Sequence, residues 1–289
     1  MHNTEAITVG IKTFLRTRQL EQCLESLTRH QWFQVIIADD GEIDQERVEM
    51  YQNFEQRMPL RLLRLDFDTG LAAGRNEIVK NCDTEYILML DDDQTVPNNI
   101  GDLKDILDED SSLGGVSCIW IEHGYKKCTA CNIKLKGKDV IKEYTRRDHK
   151  NNSTLFTFNS IPYKKFDFVP NSTLFKKACL DYISWDSFYK IGKEHLDFYL
   201  SHKLANEWKF AVALNVYIGH YPGMEESSNY SKYRKGERIK VSNDYLLKKF
   251  QISRVLDGMK YIEPIKSIKD YWLIFKRQFE LTLKYGFFR

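Results

Sequence analysis

The run Glu85-Tyr86-Ile87-Leu88-Met89-Leu90-Asp91-Asp92-Asp93 limits the fold more than any other stretch of the chain. Tyr86 to Leu90 lacks the polar alternation of a strand with one wet face. It therefore reads as a strand buried on both faces, which needs cover above and below its sheet. The strand stops in three consecutive carboxylates. Adjacent carboxylates repel one another and are costly to hold together without a cation, so a hard metal ion is the first functional reading; a solvated acidic turn is the plain structural one.

The upstream chain repeats this design. Ile7 to Ile11 is a short apolar run, and Arg18 to Arg29 then carries Leu20, Cys23, Leu24 and Leu27 at helical spacing. Val35 to Ala38 ends in Asp39-Asp40-Gly41 and leads into a polar helix through Tyr51. Leu60 to Leu65 supplies a third strand, and Gly70 to Asn81 reads as a loop running into a helix before the fourth. Alternating strands and helices call for right-handed parallel crossovers, hence an α/β chain with a Rossmann-like, mostly parallel sheet and flanking helices. In such sheets ligands sit outside the carboxyl ends of the strands, which gathers Thr13, Asp39, Asp40 and Asp91 to Asp93 at one rim.

Four segments stand in this order over about ninety residues: Thr8-Val9-Gly10-Ile11-Lys12-Thr13-Phe14, Val35 to Gly41, Gly70-Leu71-Ala72-Ala73-Gly74-Arg75-Asn76, and Tyr86 to Asp93. Together they resemble the nucleotide-sugar half of A-type-fold glycosyltransferases of the family-2 kind. The block from Ala73 to Asp93 is similar to β-1,4-N-acetylgalactosaminyltransferases and their bacterial relatives. Lys12 stands where the family usually has proline. The resemblance implies the A-type fold with a C-terminal helical extension. It also implies metal-dependent, inverting transfer of N-acetylgalactosamine or another hexose or N-acetylhexosamine, from a UDP-sugar to a hydroxyl of a glycan or lipid-linked acceptor. In that frame Thr13, Asp39, Asp40, Arg75, Asp91 and Asp92 bind the donor. Asp39 accepts the uracil imide N–H, Arg75 offers its planar fork to base or diphosphate, and Asp91 or Asp92 faces the ribose. Asp93 ligates Mn2+ or Mg2+, whose oxygen preference suits carboxylate plus diphosphate. The plain alternatives are a turn at Asp40-Gly41 and a surface ion pair at Arg75.

The second half is less regular. After Val116 to Trp120 a Lys-rich, turn-rich region to about Lys165 is expected to form hairpins and loops over the acceptor site. Phe168 to Phe175, Trp185-Asp186 and Lys190 to Leu200 resemble the acceptor half of the same transferases. Glu194 and Asp197 are three apart, so on a helix they share a face, and a carboxylate there can take the proton of an attacking hydroxyl. Where the family carries Glu-Asp-x-Asp, this chain has Glu194-His195-Leu196-Asp197. The candidate bases are thus Glu194 first, then Asp197, with His195 also open; the bland reading is acidic residues favoured at a helix N-terminus. Ala211 to Ile218 reads as a last buried strand followed by Gly219-His220-Tyr221, and the resemblance implies that His220 completes the metal site with Asp93. Imidazole suits Mn2+ better than Mg2+. Pro222 to Arg238 has the composition of a loop that closes over donor, or of plain disorder.

Charge is unevenly spread. From Lys232 to Arg289 there are 15 Lys and Arg against 6 Asp and Glu, which leaves a net −7 on the remainder of a chain of net +2. Val241 to Leu256 reads as one helix, and Tyr271 to Tyr285 as another with Trp272, Phe275, Phe279 and Leu283 on one stripe. Such basic, aromatic helices either rest peripherally on an anionic membrane or pack on their own domain; nucleic acid is not an expected partner. The expected organisation is a catalytic domain over 1–225, with 1–97 as nucleotide-sugar half and 98–225 as acceptor half, then a basic mobile loop and helices over 226–289. Cys128 and Cys131 lack a matching second pair, so reduced thiols are expected rather than zinc. No apolar run has signal or membrane length, which points to the cytoplasm. Two other functions compete. Asp91-x-Asp93-x-Thr95-Val96 fits the nucleophile motif of haloacid-dehalogenase-type phosphatases, with Asp91 attacking phosphorus, although that motif normally opens its chain. A non-catalytic glycan-binding protein is the other.

Overall fold

Each apolar run of the first half becomes a strand. A computed structural model describes residues 4–143, 155–222, 228–233, 236–257, 261–263, 268 and 272. In chain order β1 (Ile7–Thr13), α1 (Thr17–Leu27), β2 (Gln34–Asp39), α2 (Gln45–Glu55), β3 (Leu60–Arg64), α3 (Leu71–Lys80) and β4 (Tyr86–Asp91) form the strand–helix repeat. β1 lies between β2 and β4 with all three parallel, and β3 extends β2 in the same sense. The absence of polar alternation in β4 has the expected physical meaning: Tyr86 to Leu90 are all buried, with core packing on both faces of the sheet.

The second half continues the sheet with mixed sense. β5 (Gln94–Thr95), α4 (Asp102–Glu109) and β6 (Leu113–Glu122) are followed by hairpin strands β7 (Tyr125–Cys128), β8 (Asn132–Lys136), β9 (Asp139–Glu143), β10 (Phe156–Phe158) and β11 (Ile161–Phe166). Then come β12 (Thr173–Lys176), α5 (Lys177–Tyr182), α6 (Glu194–Ala205), β13 (Lys209–His220), α7 (Ser228–Tyr233), α8 (Glu237–Lys249), β14 (Arg254–Asp257) and β15 (Tyr261–Glu263). The sheet order is β10-β11-β13-β6-β12-β4-β1-β2-β3, with β12 antiparallel to both β4 and β6, and β13 parallel to β6. This crossing of β12 brings the β13 end at His220 to β5, immediately after the Asp triplet.

The helix expected from Val241 to Leu256 is shorter. It ends at Lys249, and Arg254–Asp257 is a strand parallel to β9. The physical reason is a C-terminal cap: Gln251 takes φ 53°, Ile252 N donates to Leu247 O at 2.9 Å and Gln251 N to Lys248 O at 3.2 Å, which closes the helix before its apolar pattern stops. α8 lies on the body of the sheet domain, with Leu246 buried, Ser242 donating to Ile191 O at 2.8 Å and Tyr245 stacked on Phe188 at 3.8 Å. The second expected C-terminal helix, Tyr271 to Tyr285, lies outside the described residues apart from Trp272. Among the described residues no helix is long and apolar enough to cross a membrane.

All six cysteines are buried and none is in a disulfide, and burial pushes the thiols of Cys118 and Cys128 up to about 12. Since the thiolate is the reacting form, native protein at pH 8 should take up no iodoacetamide on any of the six until denaturant is added; mass spectrometry before and after unfolding checks this.

Candidate functional site

A cavity of about 470 Å³ opens at the carboxyl ends of β1 and β4. Its floor is the Asp triplet, and its walls come from the β1–α1 segment, the start of α3, the start of α6 and the end of β13. Thr13, Asp40, Asp91, Asp92, Asp93, Glu194 and His220 all line it, whereas Asp39, Arg75 and Asp197 do not.

Asp39 faces α2. Its Oδ2 accepts from Arg47 Nε at 2.7 Å and from Tyr51 OH at 2.6 Å, and its Oδ1 accepts from Gly41 N at 2.9 Å. Arg47 also donates to Thr13 Oγ1 at 2.9 Å, and Thr13 donates in turn to Asp92 Oδ2 at 2.7 Å. This buried chain sets the Asp triplet by hydrogen bonds that start outside the cavity. Removing one partner strands a buried charge, so Arg47→Ala should cost about 3–5 kcal/mol of stability, read as a lowered melting temperature.

Asp40 does face the cavity, where it pairs with Lys12 Nζ and accepts from Gly70 N at 2.7 Å. Two glycines make that approach: Gly70 has φ 103°, and a Cβ on Gly74 would lie 2.4 Å from Lys12 Cδ. Lys12 thus runs beneath α3, and burial lowers its pKa against the opposing pull of Asp40.

Arg75 is buried behind the triplet. It donates to Asp91 Oδ1 at 2.9 Å and to His195 Nε2 at 3.3 Å, and lies 4.0 Å from Glu194 Oε1. Burial works against ionisation of Asp91, but the Arg75 guanidinium beside it outweighs that and holds the carboxyl below its usual range. Burial, with Asp93 and Asp91 adjacent, pushes Asp92 up despite Arg16. Burial and Arg75 push His195 down to about 4, so its ring is neutral at pH 7. Because a guanidinium only donates, the Nε2 lone pair of His195 is engaged by Arg75.

Glu194 and Asp197 separate. Lys193 takes φ 73° and starts α6 so that Glu194, 4% exposed, reaches the cavity with Oε2 unpartnered. Asp197 instead accepts from Tyr189 OH at 2.9 Å and from Lys249 Nζ at 2.9 Å, which fastens α8 to the body.

At the other side Asp93 Oδ1 is buried without a partner, 3.7 Å from His220 Nε2. His220 Nδ1 lies 2.7 Å from Glu122 Oε2, which also holds the ring stacked on Trp120 at 4.5 Å. A carboxylate on one ring nitrogen fixes the tautomer and leaves the other as a ligand, an arrangement typical of metal-bound histidine. Asp93 Oδ1 and His220 Nε2 are close enough that one cation could touch both. Among the described residues no group of three His, Cys, Asp or Glu could hold a metal, so the remaining ligands of such an ion would come from diphosphate and water. An aspartate oxygen facing an imidazole nitrogen is a donor pair that could hold Mn2+ or Mg2+.

Sequence reasoning passed over Arg16, Arg47 and Glu122. Arg16 was findable, because it stands in the β1–α1 segment at the same sheet rim as Thr13. Glu122 was not, because only the β6–β13 pairing brings it to His220. The stretch from Pro222 to Arg238 contains α7, whose Tyr233 packs edge-on against Phe14 at 5.1 Å and Phe67 at 5.7 Å. Asp68 accepts from Arg238 at 2.8 Å and from Lys190 through its backbone carbonyl at 2.7 Å, which pins this cover beside the cavity.

The family model described as Glycosyl transferase family 2 matches residues 8–181. The chain is 36% identical over 92 residues, 30% of its own length and 16% of the other, to a mouse protein named beta-1,4 N-acetylgalactosaminyltransferase 2. It is 30% identical over 82 residues, 27% of its length and 31% of the other, to an uncharacterized glycosyltransferase of Haemophilus influenzae. The chain thus spans less than a third of the length of these curated relatives. Among solved structures, S. aureus TarS 1–349 in complex with UDP superposes with a TM-score of 0.54 at 16% identity, covering 86% of this chain and 72% of that one. A mannosyltransferase from Pyrobaculum calidifontis in complex with GDP-Man and Mn2+ gives 0.53 at 13% identity, covering 98% and 76%.

Proposed function

Because the chain belongs to glycosyl transferase family 2, we propose that it transfers a sugar from a nucleoside diphosphate donor to an acceptor hydroxyl, with Glu194 as base and Asp93 and His220 as protein ligands of a divalent cation. The observation that carries this reading is the pairing of two orphaned, buried acidic oxygens on one cavity: Glu194 Oε2 on one wall and Asp93 Oδ1 on the floor. Leaving such atoms unpaired costs about 1–3 kcal/mol each, a cost a bound partner would remove. The phosphatase alternative loses its ground with the family membership, since β4 is the fourth strand of this fold and Asp91 is tied to Arg75.

In the proposed reaction the acceptor hydroxyl gives its proton to Glu194 as its oxygen bonds to the anomeric carbon, and the bond from that carbon to the diphosphate breaks with its electron pair leaving on phosphate. A single displacement of this kind inverts the anomeric centre. A divalent cation, when bound, offsets the charge of the departing diphosphate. Arg75 occupies Asp91 Oδ1 and the Nε2 lone pair of His195, which leaves Glu194 Oε2 as the unengaged proton acceptor on this wall. Asp197 serves as an anchor for Lys249 rather than as a base.

A UDP-sugar is the first donor to supply. The S. aureus neighbour is seen with UDP and UDP-GlcNAc, and the mouse relative is named for N-acetylgalactosamine. The proposed acceptor is a glycan or glycolipid, with peripheral contact to an anionic membrane through the basic C-terminal segment. Proton NMR of a reaction with an α-linked UDP-sugar and a mixed glycan acceptor pool tests the reading: a β-linked product supports it, and an α-linked product overturns inversion by Glu194.

A further inference from the structure

The Asp triplet already has a cation of its own. Arg16, just before α1, donates through Nη1 to Asp93 Oδ2 at 2.7 Å and pairs through Nη2 with Asp92 Oδ1, with its side chain 11% exposed. Burial would lower its pKa, but Asp92 and Asp93 outweigh that and raise it. The guanidinium also lies 4.9 Å from the ring centroid of Tyr230, a buried residue of α7, while Tyr230 in turn packs on Phe14 at 6.4 Å. One side chain therefore touches both the carboxylate that faces His220 and the cover over the cavity. Its fit is incomplete, because Arg16 Nε is buried without a partner and Asp93 keeps Oδ1 unpaired.

We propose that Arg16 is a resident counter-cation that competes with the divalent ion for Asp93 and is displaced from it when a metal-bound nucleoside diphosphate arrives. The proposal rests on the reading of Asp93 and His220 as metal ligands. Its physical basis is charge. Three adjacent carboxylates are stable in a buried site only with positive charge beside them, and Arg75 answers Asp91 alone. Arg16 supplies the rest before donor binds. A divalent ion at Asp93 makes that charge surplus, and the diphosphate it brings is an anion that a bidentate fork can follow. Because the same guanidinium lies over the Tyr230 ring, its move transmits occupancy of the site at Asp93 to α7. Metal without nucleotide meets the full competition of Arg16; metal with nucleotide offers the displaced fork a new partner. Arg16 thereby favours loading by the complete donor over loading by the bare ion.

Mn2+ titrations followed by electron paramagnetic resonance of the free ion test this in the full chain. Without nucleotide, Arg16→Gln should bind Mn2+ about tenfold more tightly than wild type, within the usual range of coupling between sites, whereas Arg16→Lys, which keeps a cation, should stay near wild type. Hydrogen exchange over 228–233 should accelerate in Arg16→Gln. Tyr230→Leu, which leaves every carboxylate contact in place, should shift Mn2+ affinity in the same direction by less. Equal or weaker Mn2+ binding by both Arg16→Gln and Tyr230→Leu, with wild type still binding Mn2+ and uridine diphosphate together, overturns the competition and leaves the donor site standing. Failure of wild type itself to bind Mn2+ with uridine diphosphate overturns both.

Discussion

Glu194→Gln should lower kcat by about 10²- to 10⁴-fold, the usual contribution of a positioned general base, while uridine diphosphate binding with Mn2+ stays at wild-type strength. The substitution keeps size and hydrogen bonding on the buried wall and removes only the charge that accepts a proton. Asp197→Asn is the matched comparison. Its carboxylate is spent on Tyr189 and Lys249 outside the cavity, so its loss should loosen α8 and lower the melting temperature while kcat falls far less. Steady-state kinetics with nucleotide titrations on both variants separates the roles. Reversed effects, with Asp197→Asn inactive and Glu194→Gln active, would move the base to Asp197.

Asp93→Ala should weaken Mn2+-dependent nucleotide binding by at least about a hundredfold, since it removes a direct ligand where even an outer partner costs 10- to 100-fold. Glu122→Gln measures that outer contribution. It leaves Asp93 and His220 in place but replaces the carboxylate on His220 Nδ1, so a loss of about tenfold is expected in the same calorimetric titration. Normal Mn2+ response in both variants would remove the cation from this pair.

How much of this was readable before the fold was known depended on the distance over which each residue acts. β1, β2 and β4 were legible because burial on both faces writes itself into local apolar runs. The rim carrying Thr13, Asp40 and the Asp triplet followed from topology alone. Asp39 shows where that reasoning stops: it sits at a strand end like Asp40, but pleat alternation turns it to α2 and Arg47 rather than into the cavity. Arg75 likewise stands at the expected place in α3 yet is buried behind Asp91, because its partners His195 and Trp185 come from over a hundred residues away. The ending of α8 at Lys249 was hidden for a different reason. Its apolar spacing continues through Ile252 to Leu256, and only the left-handed Gln251 stops the helix. Glu122 carried no local signal at all; its meaning arises when β13 pairs with β6.

The proposed transfer requires Asp93 and His220 to seat the cation of a nucleotide donor across the cavity from Glu194. Diffraction from crystals grown with Mn2+ and uridine diphosphate, collected above the manganese absorption edge, tests this most directly. The expected result is an anomalous peak between Asp93 Oδ1 and His220 Nε2, with the diphosphate beside it and Arg16 withdrawn from Asp93. A nucleotide bound with its manganese elsewhere would contradict it, whereas Arg16 still on Asp93 Oδ2 beside a manganese seated there would overturn only the displacement of Arg16.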